Sequence, residues 1–411
     1  MIQRTKKSMC AILTLVFAFS AVGHATLAEN DQENDYYWNI LVYLQADNNL
    51  NDLTQTDLDE LMAWGPSANS DKVNVLVFMD KLDEKAYLYK MEPGKMIDLP
   101  YDLNGTEVNT GDPDVFREFV AYAEENYSAD HTLIFFWDHG GPTAGVGVDD
   151  NTLPDGGGPS DWLTHQELIG VLEDHPVDVL AMDECSIGQI EVAYEYAKNL
   201  PDTQYLVASE SYIGYRGFPY DHILDELMKD PDMSPLDLSL VCVREFEELF
   251  MQTPYQVEIL TTQSVIDLRE VEALSFEFGA LLEALKDDLK SYRSIVKSAR
   301  ASAILPWGSE SSGRIDLPTF VQTIANKAPS DSDVKLEALD FLTAYNKTVP
   351  EMGGTKNSAN FDYRGLGILF PQSASFLTIA SAGMFENYKT FDFPDNGWLQ
   401  FLEAYWGVTL I

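Results

Sequence analysis

Val177-Asp178-Val179-Leu180-Ala181-Met182-Asp183-Glu184-Cys185-Ser186-Ile187-Gly188 is a short apolar run that ends on two carboxylates and a cysteine, with a helical pattern directly behind it. Upstream, Leu133-Ile134-Phe135-Phe136-Trp137 stops in the same way at Asp138-His139-Gly140-Gly141. Apolar runs of this length, bounded by turn residues and followed by helices, have the pattern of buried parallel strands. In open α/β sheets, ligands sit at the carboxyl ends of such strands. A histidine after one strand and a thiol after another can therefore share one crevice, as a cysteine nucleophile and its proton donor require.

The rest of the chain extends the same alternation. Residues 38–44 form a first strand ending at Asp47-Asn48-Asn49, a cluster that suits a turn and helix cap better than a ligand set. A helix follows to about Trp64. The next strand, residues 73–79, ends at Asp80, and residues 87–91 add a strand or hairpin arm. Asp112-Pro113 opens a helix, with Phe116, Phe119, Val120, Ala123 and Tyr127 on one buried face. Such alternation implies right-handed crossovers and a mostly parallel sheet with helices on both faces, an α/β fold.

Residues 140–162 are rich in Gly, Pro and Asp and are expected to form a flexible acidic loop. Their Asp spacing does not match an EF-hand, so no cofactor is implied and calcium has no specific motif behind it. Thr164 caps a helix to about Glu173, with Gln166 and Glu167 in its first turn. Behind Cys185 a helix buries Ile190, Ala193, Tyr194 and Ala197, and the strand 205–208 ends at Ser209-Glu210. Beyond about residue 220, long helices dominate, notably 267–304. They are interrupted by apolar runs at 257–260 and 365–370, the second of which could return to the main sheet. A last helix buries Trp398, Leu402 and Tyr405. The expected organisation is a catalytic α/β core over 29–220 and a mainly helical region over 221–411 packed on it.

The first 28 residues have the pattern of a signal peptide. Arg4, Lys6 and Lys7 precede an apolar segment from Met9 to about Val22, and small residues follow, with cleavage expected after Ala28 or Ala25. That apolar run is short for a membrane anchor, and no later segment is apolar enough to span a bilayer. The chain is therefore expected to be exported, secreted or periplasmic. Its 26 basic and 67 acidic residues give a net charge of −41, and loss of Arg4, Lys6 and Lys7 leaves 23 against 67, or −44. Such a charge argues against nucleic acid and anionic membranes as partners and favours cationic peptides. Adaptation to a salty medium would leave the same signature. Of three cysteines, Cys10 departs with the leader, and Cys242 sits in a helical run among apolar neighbours, as a buried core thiol does.

His139-Gly140 and Asp183-Glu184-Cys185 resemble the His-Gly and Asp-Ala-Cys motifs of the clostripain-like cysteine peptidases, relatives of caspases, gingipains and legumains. The stretches beginning at Tyr43, Gly145, Val207 and Gly365 resemble the same family in order, so the likeness covers most of the mature chain. It implies a caspase-like fold and an endopeptidase that cuts through a Cys185/His139 dyad and a thioester. The Gly140 and Cys185 amides would hold the oxyanion. The resemblance also gives Asp183 a place in a pocket for basic side chains, with Glu210 as a second carboxylate, and so a cut after Arg or Lys of a peptide or protein substrate. On a strand, Asp183 and Cys185 share a face and Glu184 points away. A helix beginning near Ile187 would lower the thiol pKa, whereas the two carboxylates would raise it.

His131, His165, His175 and His222 have no metal-ligand spacing, and no phosphate loop or serine elbow is present. Two departures stand out. Glu184 replaces the small residue before the cysteine, with Ser186-Ile187 in place of a bulkier apolar pair. No Lys or Arg lies between Arg117 and Lys198, so self-cleavage after a basic residue between the motifs is not expected. The protein is expected to act as one chain and as a monomer. An inactive peptide- or surface-binding protein and a transpeptidase with the same dyad are the alternatives.

Overall fold

The computed structural model describes residues 36–65, 69, 71–82, 85–153, 157–252, 260–306, 308, 310–354, 363–377 and 382–410. Its central strands are β1 (Tyr36–Ala46), β2 (Val73–Lys81), β3 (Tyr87–Glu92), β4 (Lys95–Asp98) and β5 (Ala129–Trp137). A small ladder follows: β6 (Gly140–Gly141), β7 (Gly145–Asp149) and β8 (Asp161–Leu163). Then come β9 (Val179–Asp183), β10 (Tyr205–Ala208), β11 (Thr262–Asp267), β12 (Arg314–Asp316), β13 (Glu351–Gly354) and β14 (Gly367–Leu369). Nine of them form one sheet in the order β13-β11-β10-β9-β5-β1-β2-β3-β4. The middle five, β10 to β2, run parallel, and the strands at either end are antiparallel.

The α-helices among the described residues are α1 (Thr54–Ala63), α2 (Pro113–Asn126), α3 (His165–Leu172), α4 (Ile190–Asn199), α5 (Tyr220–Lys229), α6 (Pro235–Met251), α7 (Leu268–Asp287), α8 (Leu289–Ser302), α9 (Leu317–Lys327), α10 (Asp333–Thr348), α11 (Ala382–Tyr388) and α12 (Trp398–Trp406). Alternate strand residues enter two cores. Tyr43, Phe78, Ile134, Phe136, Leu180 and Met182 meet α2, α3, α4 and α7 on one face. Val42, Val77, Phe135, Trp137 and Ala181 meet α1, α5 and α6 on the other. Period-two strands thus hide an apolar set on each side, which is why their sequences are continuously apolar. In the first core, Tyr43 meets Phe116 at 5.1 Å and Phe119 at 5.9 Å between ring centroids. Truncating one such buried ring costs about 3–5 kcal/mol.

The expected caps are present. Asp112 accepts from the Asp114 N–H ahead of Pro113, and Thr164 and Glu167 form a reciprocal capping box on α3. Cys242 is buried in α6. Several expectations need correction. Residues 140–162 are not simply a loop: β6, β7 and β8 form a three-stranded sheet with β7 fully buried, Pro154, Asp155 and Gly156 lying outside the described residues. The run 365–370 does not return to the main sheet. Its strand β14 pairs antiparallel with β12, and β11 and β13 are the later strands that extend the main sheet. The long helical run 267–304 divides at Asp288, whose side chain accepts from the Ser291 N–H and so starts α8. Residues 257–259 of the other apolar run lie outside the described residues.

Candidate active site

Strands β5 and β9 are adjacent and in register, with Trp137 opposite Asp183. The residues that follow each strand are therefore delivered to the same edge of the sheet. There His139, Asp183 and Cys185 line one crevice of about 360 Å³, walled by Leu50, Leu53, Trp137, Tyr212, Ile213 and Gly217 among others. A larger open depression of about 760 Å³ beside α7 has no cysteine or histidine in its lining. The chemistry-bearing groups are at the smaller crevice.

Gly140 makes this meeting possible. A Cβ there would stand 2.2 Å from the Cys185 carbonyl oxygen, so no residue but glycine fits between the two strand ends. Behind it, Asp138 is buried. Its carboxylate accepts from the Val148 N–H and, at 2.9 Å, from Asn48 Nδ2. That joins the end of β5 to β7 and to the turn after β1. Burial pushes the Asp138 carboxyl well up, against the pull of the Val148 and His139 amides and Asn48.

His139 is half-buried, and burial lowers its pKa, with Asp150 opposing. Its Nε2 lies 3.0 Å from Asn49 Oδ1. With that carbonyl as acceptor, the neutral ring carries its proton on Nε2 and keeps Nδ1 free to accept one. Cys185 Sγ accepts from the Ile213 N–H at 3.4 Å. Burial pushes the thiol up to about 11, with the fields of Glu184 and Asp183 adding and the Ile213 amide opposing. The expected helix dipole does not offset this. Helix α4 begins at Ile190, and Ser186, in the left-handed region at φ 65°, turns the chain before it starts. Hydrogen bonds from the Ser186 and Gly188 amides to Ser211 and Ser209, both 2.7 Å, hold that turn.

Asp183 and Glu184 diverge as strand alternation requires. Glu184 is buried away from the crevice and accepts from the Gly147 N–H at 3.0 Å. Asp183 faces the crevice wall, where its Oδ2 accepts from the Phe218 N–H at 3.0 Å and the Tyr220 hydroxyl at 2.9 Å. Gly217, at φ +57°, passes so close that a Cβ would stand 2.4 Å from that oxygen. Burial raises the Asp183 carboxyl to about 6, while these donors favour its anion. Two more carboxyls, Asp57 and Glu60, are close enough to feel its charge. Asp57 accepts from Trp137 Nε1 at 2.8 Å, and Glu60 pairs with Arg216. Burial raises Asp57 to about 8 and Glu60 to about 7.

Glu210 is not in the crevice. It is fully buried, its Oε1 accepts from the Gly365 N–H at 2.7 Å, and it faces Asp316. Its carboxyl ties β10 to the 364–365 turn. The other histidines among the described residues are also elsewhere. His131, His175 and His222 face Asp178, Glu124 and Glu245. His165 is buried between the Tyr196 hydroxyl and the Gly141 carbonyl, and burial lowers it to about 4. Sequence reasoning missed Asn48 and Asn49, which it assigned to a cap. Asn48 does bind the Leu50 N–H, but both side chains also reach the residues after β5. The available signal was their position just past the strand beside β5.

The clostripain family model matches residues 42–362. The chain belongs to the clostripain family. Clostripain from Hathewaya histolytica is 32% identical over 223 residues, a match spanning 46% of this chain and 41% of that protein. The chain thus aligns with less than half of that relative's length. A secreted C11 cysteine protease from Bacteroides thetaiotaomicron, solved with an irreversible peptide inhibitor, superposes with a TM-score of 0.63 at 17% identity, covering 86% of this chain and 99% of that one. An inactive zymogen C11 protease from Parabacteroides distasonis gives 0.63 at 18%, covering 88% and 98%. These likenesses establish the fold of a clostripain-family peptidase. Within that fold, the His139 and Cys185 motifs of this clostripain-family chain fall at the ends of neighbouring core strands.

Proposed function

We infer that this protein is an exported cysteine endopeptidase using Cys185 as nucleophile and His139 as proton carrier, with preference for Arg or Lys before the cut bond. The observation that carries the reading is the shared crevice, in which a thiol and a neutral imidazole stand at adjacent strand ends over a buried carboxyl. Burial raises the thiol and lowers the imidazole, so the resting pair is neutral and the proton moves as substrate arrives. His139 Nδ1 takes the Cys185 proton while sulfur attacks the peptide carbonyl carbon. The oxyanion is held by backbone N–H groups, those of Gly140 and Cys185 in this reading. His139 then protonates the leaving amine as the C–N bond breaks, leaving a thioester. Water, deprotonated by His139, attacks the thioester, and Cys185 leaves with the proton.

Asp183 gives the crevice a carboxylate that suits a guanidinium or ammonium. Export rests on the basic and apolar leader pattern of residues 1–28, and no helix among the described residues is long and apolar enough to cross a membrane. The absence of Lys or Arg between Arg117 and Lys198 supports a single-chain enzyme. A panel of fluorogenic peptides varied at the residue before the cut tests the reading. Purified protein should release fluorophore after Arg or Lys, and Cys185→Ala and His139→Ala should not. Cleavage retained by Cys185→Ala would end the cysteine-peptidase account.

A further inference from the structure

Part of the crevice wall is a turn, residues 213–217, on the segment between β10 and α5. The turn is closed on itself by the Gly217 N–H, which donates to the Gly214 carbonyl at 2.9 Å. Its two ends touch the two groups that matter most in the crevice. At the front, the Ile213 N–H donates to Cys185 Sγ at 3.4 Å. At the back, Gly217 passes against the Asp183 carboxyl, and the next amide, that of Phe218, donates to it at 3.0 Å. The residues on either side of the turn are well anchored. The Ser211 carbonyl accepts from the Ser186 N–H at 2.7 Å, and the Ser211 hydroxyl donates to the Leu260 carbonyl at 2.8 Å. Phe218 is fully buried, its ring 5.3 Å from that of Phe135 and 5.7 Å from that of Phe246.

Between these anchors, Arg216 is no part of the crevice lining. It reaches instead to α1, where its guanidinium pairs with Glu60. Glu60 is buried, and so is Asp57 one turn earlier on the same helix; both carboxyls feel the Arg216 charge. Removing one partner of a largely buried ion pair leaves the other charge uncompensated, which is costly. Tyr215, the residue before Arg216, is 77% exposed and packs on little. The Arg216–Glu60 pair is thus what ties this part of the turn to the body of the molecule.

We propose that Arg216 is a positioning residue for peptide cleavage, its pair with Glu60 latching residues 213–217 against Cys185 and Asp183. The kinetic consequence rests on the cysteine-peptidase reading; the effect on the sulfur does not. The wall acts on the thiol in two opposed ways. It covers the sulfur, which disfavours thiolate, and it donates the Ile213 N–H, which favours thiolate. Covering is the larger of the two. A freed turn therefore bares the thiol to solvent and raises its thiolate fraction, while the crevice that aligns the peptide loses a wall. Reactivity toward a small alkylating agent and turnover of a peptide then move in opposite directions. Loss of stability alone would not separate them.

The test measures two rates on the full purified chain near neutral pH: iodoacetamide alkylation of Cys185, located by peptide mapping, and cleavage of an arginyl fluorogenic peptide. Arg216→Ala should alkylate at Cys185 about tenfold faster than the wild type and cleave with a kcat/KM about tenfold lower. Glu60→Gln removes the other partner and should do the same. Arg216→Lys should stay within about threefold of the wild type in both rates, because the pair is one N–H to one oxygen and an ammonium can replace it. Both rates unchanged in Arg216→Ala, cleavage lost without faster alkylation, or Arg216→Lys behaving like Arg216→Ala would each overturn the proposal. Should Arg216→Ala not fold, Glu60→Gln carries the same decision. Should the wild type cleave no peptide, the catalytic reading fails, and the alkylation rates still decide whether Arg216 holds the wall.

Discussion

His139 Nε2 and Asn49 Oδ1 stand 3.0 Å apart, so the imidazole after β5 is steered by a side chain from the turn after β1. Asn48, one residue earlier, anchors Asp138 in the same way at 2.9 Å. An imidazole whose Nε2 proton is held by a carbonyl presents Nδ1 as the basic atom, which is the form a proton carrier needs.

Asn49→Ala is therefore expected to lower kcat/KM by about tenfold or more while leaving Tm nearly unchanged, a modest share of what general acid–base catalysis supplies. Asn49→Asp puts a carboxylate on the ring and raises its pKa. The acid limb of the kcat/KM profile should then move to higher pH. Steady-state kinetics across pH on both variants check this, and an unmoved limb in Asn49→Asp would remove Asn49 from the account.

The thiol makes a separate prediction. Burial, reinforced by Glu184 and Asp183, pushes Cys185 up to about 11. At neutral pH its alkylation by iodoacetamide should be roughly 10²-fold slower than that of a free cysteine, because only thiolate reacts. The rate should climb about tenfold per pH unit from 7 to 10. A plateau below pH 8 would mean that a thiolate–imidazolium pair already exists in the free enzyme.

Stability should fall as pH rises. Asp183, Asp57 and Glu60 have folded-state pKa values of about 6, 8 and 7, above ordinary carboxyl values, with burial the leading cause of each. Between the unfolded values near 4 and these folded values, the native chain binds more protons than the unfolded one. The stability they confer is present at low pH and lost as pH climbs through that window. Tm measured from pH 5 to pH 8.5 is expected to decline, and Asp57→Asn should flatten the slope. A Tm that rises across the same range would contradict these assignments.

Asp183→Asn tests the floor of the crevice. The amide can keep the Tyr220 and Phe218 contacts through its oxygen but loses the charge. Cleavage after Arg or Lys should weaken by about 10–100-fold, the scale of one charge-assisted hydrogen bond, while cleavage after an uncharged residue changes little. Equal losses on both substrate types would place Asp183 in a structural role alone. Glu210→Gln, by contrast, should leave the Arg/Lys preference intact, because that carboxyl faces Asp316 and the Gly365 amide and not the crevice.

Much of the fold was legible because its determinants are local. Runs such as Leu133 to Trp137 are apolar at every position since both faces are covered, and Asp112-Pro113 and Thr164-Glu167 announce their helices by cap chemistry. The meeting of His139 with Cys185 followed from strand adjacency. What escaped depends on contacts distant in sequence. The β6–β8 ladder is written in glycines and aspartates, and β7 is buried because Gly147 meets Gln45 and Asp149 meets Thr110. Asn49 looks like any turn residue until β5 is placed beside β1. The late start of α4 hangs on the Ser186 and Gly188 bonds to the residues just after β10, which no periodicity reports. Glu210 shares its strand-end position with Cys185, yet its carboxyl turns inward to β12 and the 364–365 turn.

The central claim, a nucleophilic Cys185 in a basic-specific crevice on an uncut chain, is tested most directly by intact mass. The purified mature protein, held for a prolonged period and then treated with an arginyl chloromethyl ketone, should remain one chain. It should gain one adduct through displacement of chloride by the Cys185 sulfur, with Cys185→Ala gaining none and Cys242→Ala labelling like the wild type. An unlabelled wild type, or an adduct that persists in Cys185→Ala, would contradict the account.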